Sequence, residues 1–461
     1  MTHALSSAGT TVSFWERQLP ARPERPPLSG DTTADVCIVG GGFTGLWTAY
    51  YLAQAAPGLR IAIVESRYCG YGASGRNGGW VSNFIAGSRD VFAKTAGREA
   101  TIALQREMDA SVDEVVRVTE AEGIDADMVK GGVLTVARWR SQWDRLQRDV
   151  AAAAAWGEDD LVLLDADAFA KRLRVSDALG GSYSPHCARM DPAKLVRGLA
   201  ERVEELGVRI YESTPATAVG RHVVETPGGR VAAKHIVAAT EGFLARMPGQ
   251  RRRTLPMNSS MVVTERLSDR VWDRIGWEGA ELLGDSAHVY FYAQRTADGR
   301  IAFGGRGNPY RYGSQVDTDG QTPQSTVKAL RAQLIDCFPD LGDVRIEDAW
   351  SGVLGVPRDW CSSVVTDEQT GVITVGGYVG HGVTTTNLAG RTIRDLILEA
   401  DSDLLRLPWV GHRVRSWEPE PLRWLGVQGM YAAYRTADAW ERRTGGRTSV
   451  IANVANLVAG R

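Results

Sequence analysis

Apolar residues form a short run from Ala34 to Val39, broken only by Asp35, that stops at a cluster of glycines. From Gly45 to Ala56 they return at helical spacing, with Leu46, Ala49, Tyr50 and Ala53 on one face. A continuous apolar run followed by a 3.6-residue period predicts a buried parallel strand feeding a helix, and Arg60 to Val64 reads as the next strand. Beyond it, a helical stretch from about Gly97 to Glu122 leads into strand-like Gly131 to Arg138, and the alanine-rich Asp149 to Trp156 is helical again. Asp191 to Leu206 is amphipathic. Strand-like Val208 to Glu212 and Gly220 to Thr226, a Pro-Gly-Gly turn and Val231 to Ala239 follow, which extends the sheet begun at Ala34. Between Leu255 and Phe303, the segments SSMVVTE, HVYFYAQ and RIAFGG alternate apolar and polar positions between turn signals, as an antiparallel sheet does. Gly371 to Val375 is a further strand, GGYVGHGV a glycine-rich turn, and Thr384 to Glu399 a helix with a polar start. The first 33 residues, rich in Pro, Arg and Ser, predict an extended arm over the surface, and the last fifty read as mostly helical.

Composition narrows the classes without choosing among them. A chain of 461 residues exceeds one ordinary core and predicts two or three domains. A formal charge of -2 with 23% charged residues leaves no basic surplus for nucleic acid or anionic lipid. No apolar run approaches the roughly 20 residues that span a bilayer, and the N-terminus has no secretory pattern, so the expectation is a cytoplasmic protein without membrane partners. The cysteines Cys37, Cys69, Cys187, Cys337 and Cys361 show no CxxC spacing, which predicts reduced packing thiols and no metal.

The chemistry enters at Gly40-Gly41-Gly42-Phe43-Thr44-Gly45, a GxGxxG between a strand and a helix, with Glu65 twenty residues beyond Gly45. Gly40 permits the tight turn, Gly42 lets backbone approach a pyrophosphate, Gly45 permits close helix packing, and an acidic residue at the end of the second strand bonds a ribose hydroxyl. Glu65 disfavours a 2'-phosphate and leaves FAD and NAD. CGYGASGRNGGW, immediately after Glu65, favours FAD, since its glycines, Ser74, Arg76 and Asn77 form a loop able to meet phosphate and flavin oxygens.

With these motifs in place the sequence resembles the FAD-dependent oxidoreductases of the D-amino-acid-oxidase class, over most of residues 13 to 400. The resemblance rests on SFWE, ADVCIVGGGFTGLWTAYYLA, GASGRNGG, HIVAATEG, YFYAQRTADGRIAFGG, AWSGVLG and GGYVGHGVTTTNLAGR taken together. The branch it is most similar to is that of gamma-glutamylputrescine oxidoreductases and glycine or sarcosine oxidases. The resemblance implies an α/β (α+β) fold, with a Rossmann-type FAD-binding domain assembled from 34-90, 185-254 and 350-405. A second, discontinuous domain of 91-184 and 255-349 is built on the antiparallel sheet and takes the substrate, 1-33 is the arm, and 406-461 is a helical extension. It implies FAD contacts from Gly40, Gly42, Phe43, Thr44, Gly45, Glu65, Ser66, Gly72, Ala73, Ser74, Arg76, Asn77, Gly78, Gly79, Ala216, Thr240 and Gly242. Gly380, His381, Gly382 and Val383 would border the flavin ring, where a helix N-terminus favours the negative charge of the reduced form. None of the cysteines matches an attachment position, so the FAD is expected to be noncovalent.

The implied reaction is oxidation of a C–N bond in a small amine or amino acid derivative, with hydride transfer to flavin N5, hydrolysis of the resulting imine, and reoxidation by O2 or another acceptor. Such a step needs a dry, positioning site more than acid or base. The candidates are Arg306, for a carboxylate or phosphonate, with Tyr290, Tyr292 and His381. Each has a plainer alternative: a solvated arginine, core tyrosines, a packing histidine. Arg251, Arg252 and Arg253 read as a solvated loop. No arginine stands in SGVLGVP after Trp350, where amino-acid oxidases of this class clamp the α-carboxylate, although Arg358 lies four residues past Leu354. A flavin enzyme acting on a hydroxy acid, or a flavin subunit of a hetero-oligomer, are the alternatives to an amine oxidase acting as monomer or homodimer.

Overall fold

The computed structural model describes residues 11–307, 309–316, 319–446, 448–449 and 451–452. Its central strand is Thr32–Val39, two residues longer at its start than the apolar run, and Val36, Cys37 and Ile38 within it are completely buried. Burial on both faces is why this strand reads as continuous rather than alternating apolar sequence. It pairs in parallel with Gly229–Ala238 on one side and Ile61–Val64 on the other, with Cys37 opposite Ile236 and Ala62. The sheet runs Ser363–Thr366, Ile373–Gly376, Gly229–Ala238, Thr32–Val39, Ile61–Val64, Arg209–Tyr211, and a hairpin strand, Val223–Thr226, also pairs with Gly229–Ala238.

Helices Phe43–Ala55, Pro192–Glu205 and Gly382–Ile397 contribute buried apolar residues to one large core with the sheet. The first and last of these touch backbone to side face: a Cβ on Gly390 would lie 2.7 Å from the carbonyl carbon of Trp47. Close approach of this kind admits only glycine.

A second eight-stranded sheet follows the order Ile346–Val356, Leu255–Thr264, Ile301–Gly305, Tyr292–Arg295, Leu282–Asp285, Val133–Ala137, Gly180–Ser184, Val162–Asp165. It is antiparallel except where Leu282–Asp285 runs beside Val133–Ala137. The strand Ile346–Val356 crosses the boundary drawn at 350 from the sequence, since it stays paired with Leu255–Thr264 up to Val356. Its own core gathers Trp277, Phe291, Phe303 and Phe338.

The segment at Phe14–Arg17 and the helix Leu422–Thr444 are each anchored to the rest of the protein. The arm predicted as simply extended contains a one-turn helix, Phe14–Arg17, and Phe14 and Trp15 are buried against Trp350. The Trp15 Nε1 donates to the Asn77 carbonyl at 3.0 Å. Two aromatic rings bury enough apolar area to hold a segment that propensity leaves open. At the other end, helix Leu422–Thr444 is fixed by Glu441, whose fully buried carboxylate accepts from Ser141 Oγ at 2.7 Å and pairs with Arg145 Nη1 at 2.9 Å and His288 Nε2 at 3.0 Å. Burial works against its charge, but His288, the Ser449 N–H, Ser141 and Arg145 bring the carboxyl down to about 2.

Two stability effects are expected. Gly390→Val forces its branched side chain into the Trp47 backbone and should cost about 1–3 kcal/mol, read from denaturant unfolding of the holoenzyme. Glu441→Ala strands Arg145 and His288 and should cost about 3–5 kcal/mol, with faster proteolytic cleavage inside 422–444.

Candidate functional site

The strand Thr32–Val39 ends at Gly40, whose φ of +115° and 2.6 Å Cβ distance to the Ala239 carbonyl oxygen exclude a side chain. Gly45 is pressed on the same turn, since its Cβ would fall 2.0 Å from the Gly40 oxygen. The turn therefore delivers the N-terminus of helix Phe43–Ala55 directly beyond the strand. A second helix N-terminus, at Gly382, follows the turn after strand Ile373–Gly376. Neither N-cap residue, Gly42 or His381, caps its helix with its own side chain.

Both termini open on one cavity of about 530 Å³. Gly42, Phe43 and Thr44 line it from the first helix, and Gly380, Gly382, Val383 and Thr386 from the second. Ser74 ties in the glycine-rich loop, its Oγ accepting from the Phe43 N–H at 2.8 Å. Asn77 shapes the same loop by donating to the Ser74 carbonyl at 2.8 Å. Glu65 lines the cavity and accepts from the Gly41 N–H at 2.8 Å and the Arg67 N–H at 2.9 Å, while burial pushes its carboxyl above the ordinary range.

Of the residues singled out in the sequence, Gly40, Gly42, Phe43, Thr44, Glu65, Ser66, Gly72, Ala73, Ser74, Asn77, Ala216, Thr240, Gly242, Gly380, Gly382 and Val383 line this cavity. Gly45, Arg76, Gly78, Gly79 and His381 do not. Arg76 is buried behind the loop, its Nε donating to the Tyr71 carbonyl at 2.7 Å while its own carbonyl accepts from Trp350 Nε1 at 2.9 Å. Gly78 and Gly79 sit where a Cβ would strike Tyr292 and Gln294, so they let the loop approach the antiparallel sheet. The His381 ring packs edge-on to Phe84 at 5.4 Å.

Sequence reading passed over Glu241, between Thr240 and Gly242. It adopts a left-handed φ of +44°, and its carboxylate accepts from the N–H groups of Gly355, Gly377 at 3.1 Å and Tyr378 at 3.0 Å. One side chain thus joins both sheets to the turn before the second helix. Burial outweighs these donors and pushes its carboxyl up to about 7. Nothing in the stretch AATEG signals this; the positive φ and the three donors come from distant segments.

The proposed catalytic residues divide. Arg306 and Tyr290 border a second cavity of about 140 Å³, with Met257, Met430, Tyr431 and Tyr434. Tyr292, two positions on, is not part of that lining although it interacts with Arg306: its hydroxyl lies 2.8 Å from Ser259 Oγ and its ring under Gly304 and Gly78. The two tyrosines do not share a face because the strand begins only at Tyr292. The cavities are neighbours, since Met257 of the smaller one is in register with Leu354 of the larger. Arg358 borders the smaller cavity but is bound to Glu418, both of whose oxygens lie 3.1 Å from its Nε. The arginine cluster is tied down as well as solvated, with Arg252 Nε donating to the Trp417 carbonyl at 2.7 Å.

The model of the FAD dependent oxidoreductase family, DAO, matches residues 35–396. The chain belongs to that family. Over 403 residues it is 30% identical to the probable oxidoreductase OrdL of Rhizobium meliloti, covering 85% of this chain and 89% of that protein. The gamma-glutamylputrescine oxidoreductase of Escherichia coli is also 30% identical, over 84% of this chain and 90% of its own. Among solved structures, glycine oxidase from Geobacillus kaustophilus superposes with a TM-score of 0.67 at 22% identity, covering 83% of this chain and 99% of that one. The protein is thus an FAD-dependent oxidoreductase with the mixed α/β fold of this family. The larger cavity fits that cofactor on physical grounds: it offers two helix N-termini to anionic groups and an acidic residue at the end of the second strand. No helix among the described residues is long and apolar enough to cross a membrane.

Because the folded protein holds the Glu241 proton to about pH 7 and the unfolded chain only to about 4.5, the stability of cofactor-stripped protein should fall as pH rises between those values. Glu241→Gln should flatten that slope, leaving the parts contributed by other buried carboxyls, among them Asp285, raised to about 7, and Asp191, raised to about 6. Urea midpoints at a series of pH values check this.

Proposed function

We propose that this enzyme oxidises a C–N bond of a small primary or secondary amine or amino acid derivative. The neighbouring cavities carry the reading: a lining suited to FAD stands in strand register with a compact aromatic pocket, through Leu354 and Met257. In this reading Gly40, Gly42, Phe43, Thr44, Glu65, Ser66, Ser74, Ala216, Thr240 and Gly382 hold the cofactor. The bound FAD supplies the acceptor for a hydride from the substrate carbon that bears nitrogen.

The chain's own work is positioning. Met257, Tyr290, Tyr431 and Tyr434 exclude water, so a substrate amine entering the pocket loses its proton more readily than in solution, and its neutral form leaves a lone pair to stabilise the developing imine. Water then hydrolyses the imine to a carbonyl compound and a freed amine. The 30% identity to a gamma-glutamylputrescine oxidoreductase supports an amine as substrate. Molecular oxygen is the proposed second substrate, leaving as hydrogen peroxide. All five cysteines are free and buried and none lines the larger cavity, which supports dissociable FAD and suits the reducing cytoplasm.

Acid precipitation of the yellow protein should leave a colourless pellet and release all the flavin. Under anaerobic conditions, a panel of N-methyl amino acids, glycine, D-amino acids, γ-glutamyl amines and aminophosphonates should contain a member that bleaches the flavin. Readmitted air should restore the colour with stoichiometric peroxide. Bleaching by a hydroxy acid and by no amine would refute the proposal.

A further inference from the structure

A thiol, an imidazole and a carboxylate converge outside both cavities. Asp359 and Cys361 follow strand Ile346–Val356, His412 lies 53 residues beyond Asp359, and their ligating atoms all fall within 4.8 Å of one another. Trp360, between the first two, takes a left-handed φ of +64°, so the chain turns sharply there. Cys361 is completely buried beside Gly87 and Ser88, the Ser88 N–H donating to its Sγ at 3.5 Å. The Phe92 ring packs edge-on to His412 at 5.4 Å. Asp359 is the open side, its side chain 27% exposed against 7% for His412, which lines a surface cavity of about 510 Å³.

Sulfur with an imidazole nitrogen and a carboxylate oxygen is a donor set that suits zinc-class ions, whereas calcium and magnesium take oxygen. Support behind these donors is in place: the Cys361 N–H donates to Asp359 Oδ1 at 3.1 Å, while Oδ2 lies 2.7 Å from His412 Nε2. Bonds of about 2.0–2.3 Å in a tetrahedron set donors ~3.3–3.7 Å apart, so the carboxylate has to swing out by about 1 Å, which its exposure permits. The nearby guanidinium groups are committed to other anions, Arg358 to Glu418 and Arg413 to Glu368. His288, Asp438 and Glu441 form a comparable group, but Arg145 on Glu441 already gives it a fixed positive charge that an added cation would oppose.

We propose that Asp359, Cys361 and His412 bind one zinc-class divalent ion, with water in the fourth position on the Asp359 side. As the ion enters, the Cys361 thiol gives its proton to water and the imidazole adopts the tautomer with a lone pair at Nε2. Asp359 and Cys361 lie inside the matched family region of residues 35–396 and His412 beyond it. The ion therefore clips the chain that follows the family region to the first sheet, beside the bonds that Val364 already makes with Trp409 and Gly411. Cysteine spacing carries no sign of such a site, because two of the ligands are other residue types that only the fold brings together.

Zinc binding to tag-free holoenzyme dialysed against EDTA tests this. Calorimetry should find one zinc per chain and no magnesium, and the melting temperature should rise with free zinc. Cys361→Ser, His412→Gln and Asp359→Asn should each weaken zinc by at least about 10- to 100-fold, the loss that even a partner behind a ligand produces. Cobalt in place of zinc should give the wild type a sulfur-to-cobalt charge-transfer band that Cys361→Ser lacks. If the buried Cys361→Ser does not fold, Asp359→Asn at the exposed position and the wild-type cobalt spectrum still decide. No zinc bound by the wild type, wild-type affinity in Asp359→Asn or Cys361→Ser, or a cobalt spectrum without the sulfur band would each overturn the proposal. None of these measurements needs turnover, so they stand or fall apart from amine oxidation.

Discussion

Gly390 against the backbone of Trp47 sets the geometry on which the rest depends. Helices Phe43–Ala55 and Gly382–Ile397 come from opposite ends of the family region, yet their N-termini must open on one cavity. A side chain at the crossing would separate them, and each terminus could still attract an anion but the two would no longer face one cavity. The strands Thr32–Val39 and Ile373–Gly376, which launch these helices, both pair in parallel with Gly229–Ala238 between them, so sheet register and helix crossing enforce the same arrangement.

Glu241 extends that arrangement across to the antiparallel sheet. By gathering N–H groups from Gly355, Gly377 and Tyr378, it does with one carboxylate what a longer loop would otherwise do with many contacts. The strained φ and the buried charge are costs that a purely structural tie would rarely carry, and both fall at the cavity where strained residues tend to collect.

The sequence made the cofactor half legible because its demands are local. A strand, GxGxxG, a helix and Glu65 all lie between Thr32 and Glu65, and each glycine is explained by an atom that would touch its Cβ. Arg76, Gly78 and Gly79 show the limit of such reading: the loop motif marks the region, but these three serve its packing on Tyr71, Trp350, Tyr292 and Gln294 rather than the cavity. Tyr290 and Tyr292 looked equivalent through strand periodicity, and they separate because the strand starts between them. Phe14 and Trp15 hid in a Pro-rich arm, where composition says little about two buried rings. The second cavity was least legible, since one of its walls is a helix whose partners, His288 and Arg145, lie some 150 to 300 residues earlier in the chain.

That helix has a consequence for how the two cavities can vary. The tail segment touches the small cavity and is bolted to the protein by Glu441, but it contributes nothing to the lining of the large one. Substitutions at Gly426, Met430 or Tyr431 can therefore resize the smaller cavity and leave the lining of the larger one untouched. One wall of the smaller cavity lies on a stretch of sequence beyond the family match, so its size can drift while the lining of the larger cavity stands still.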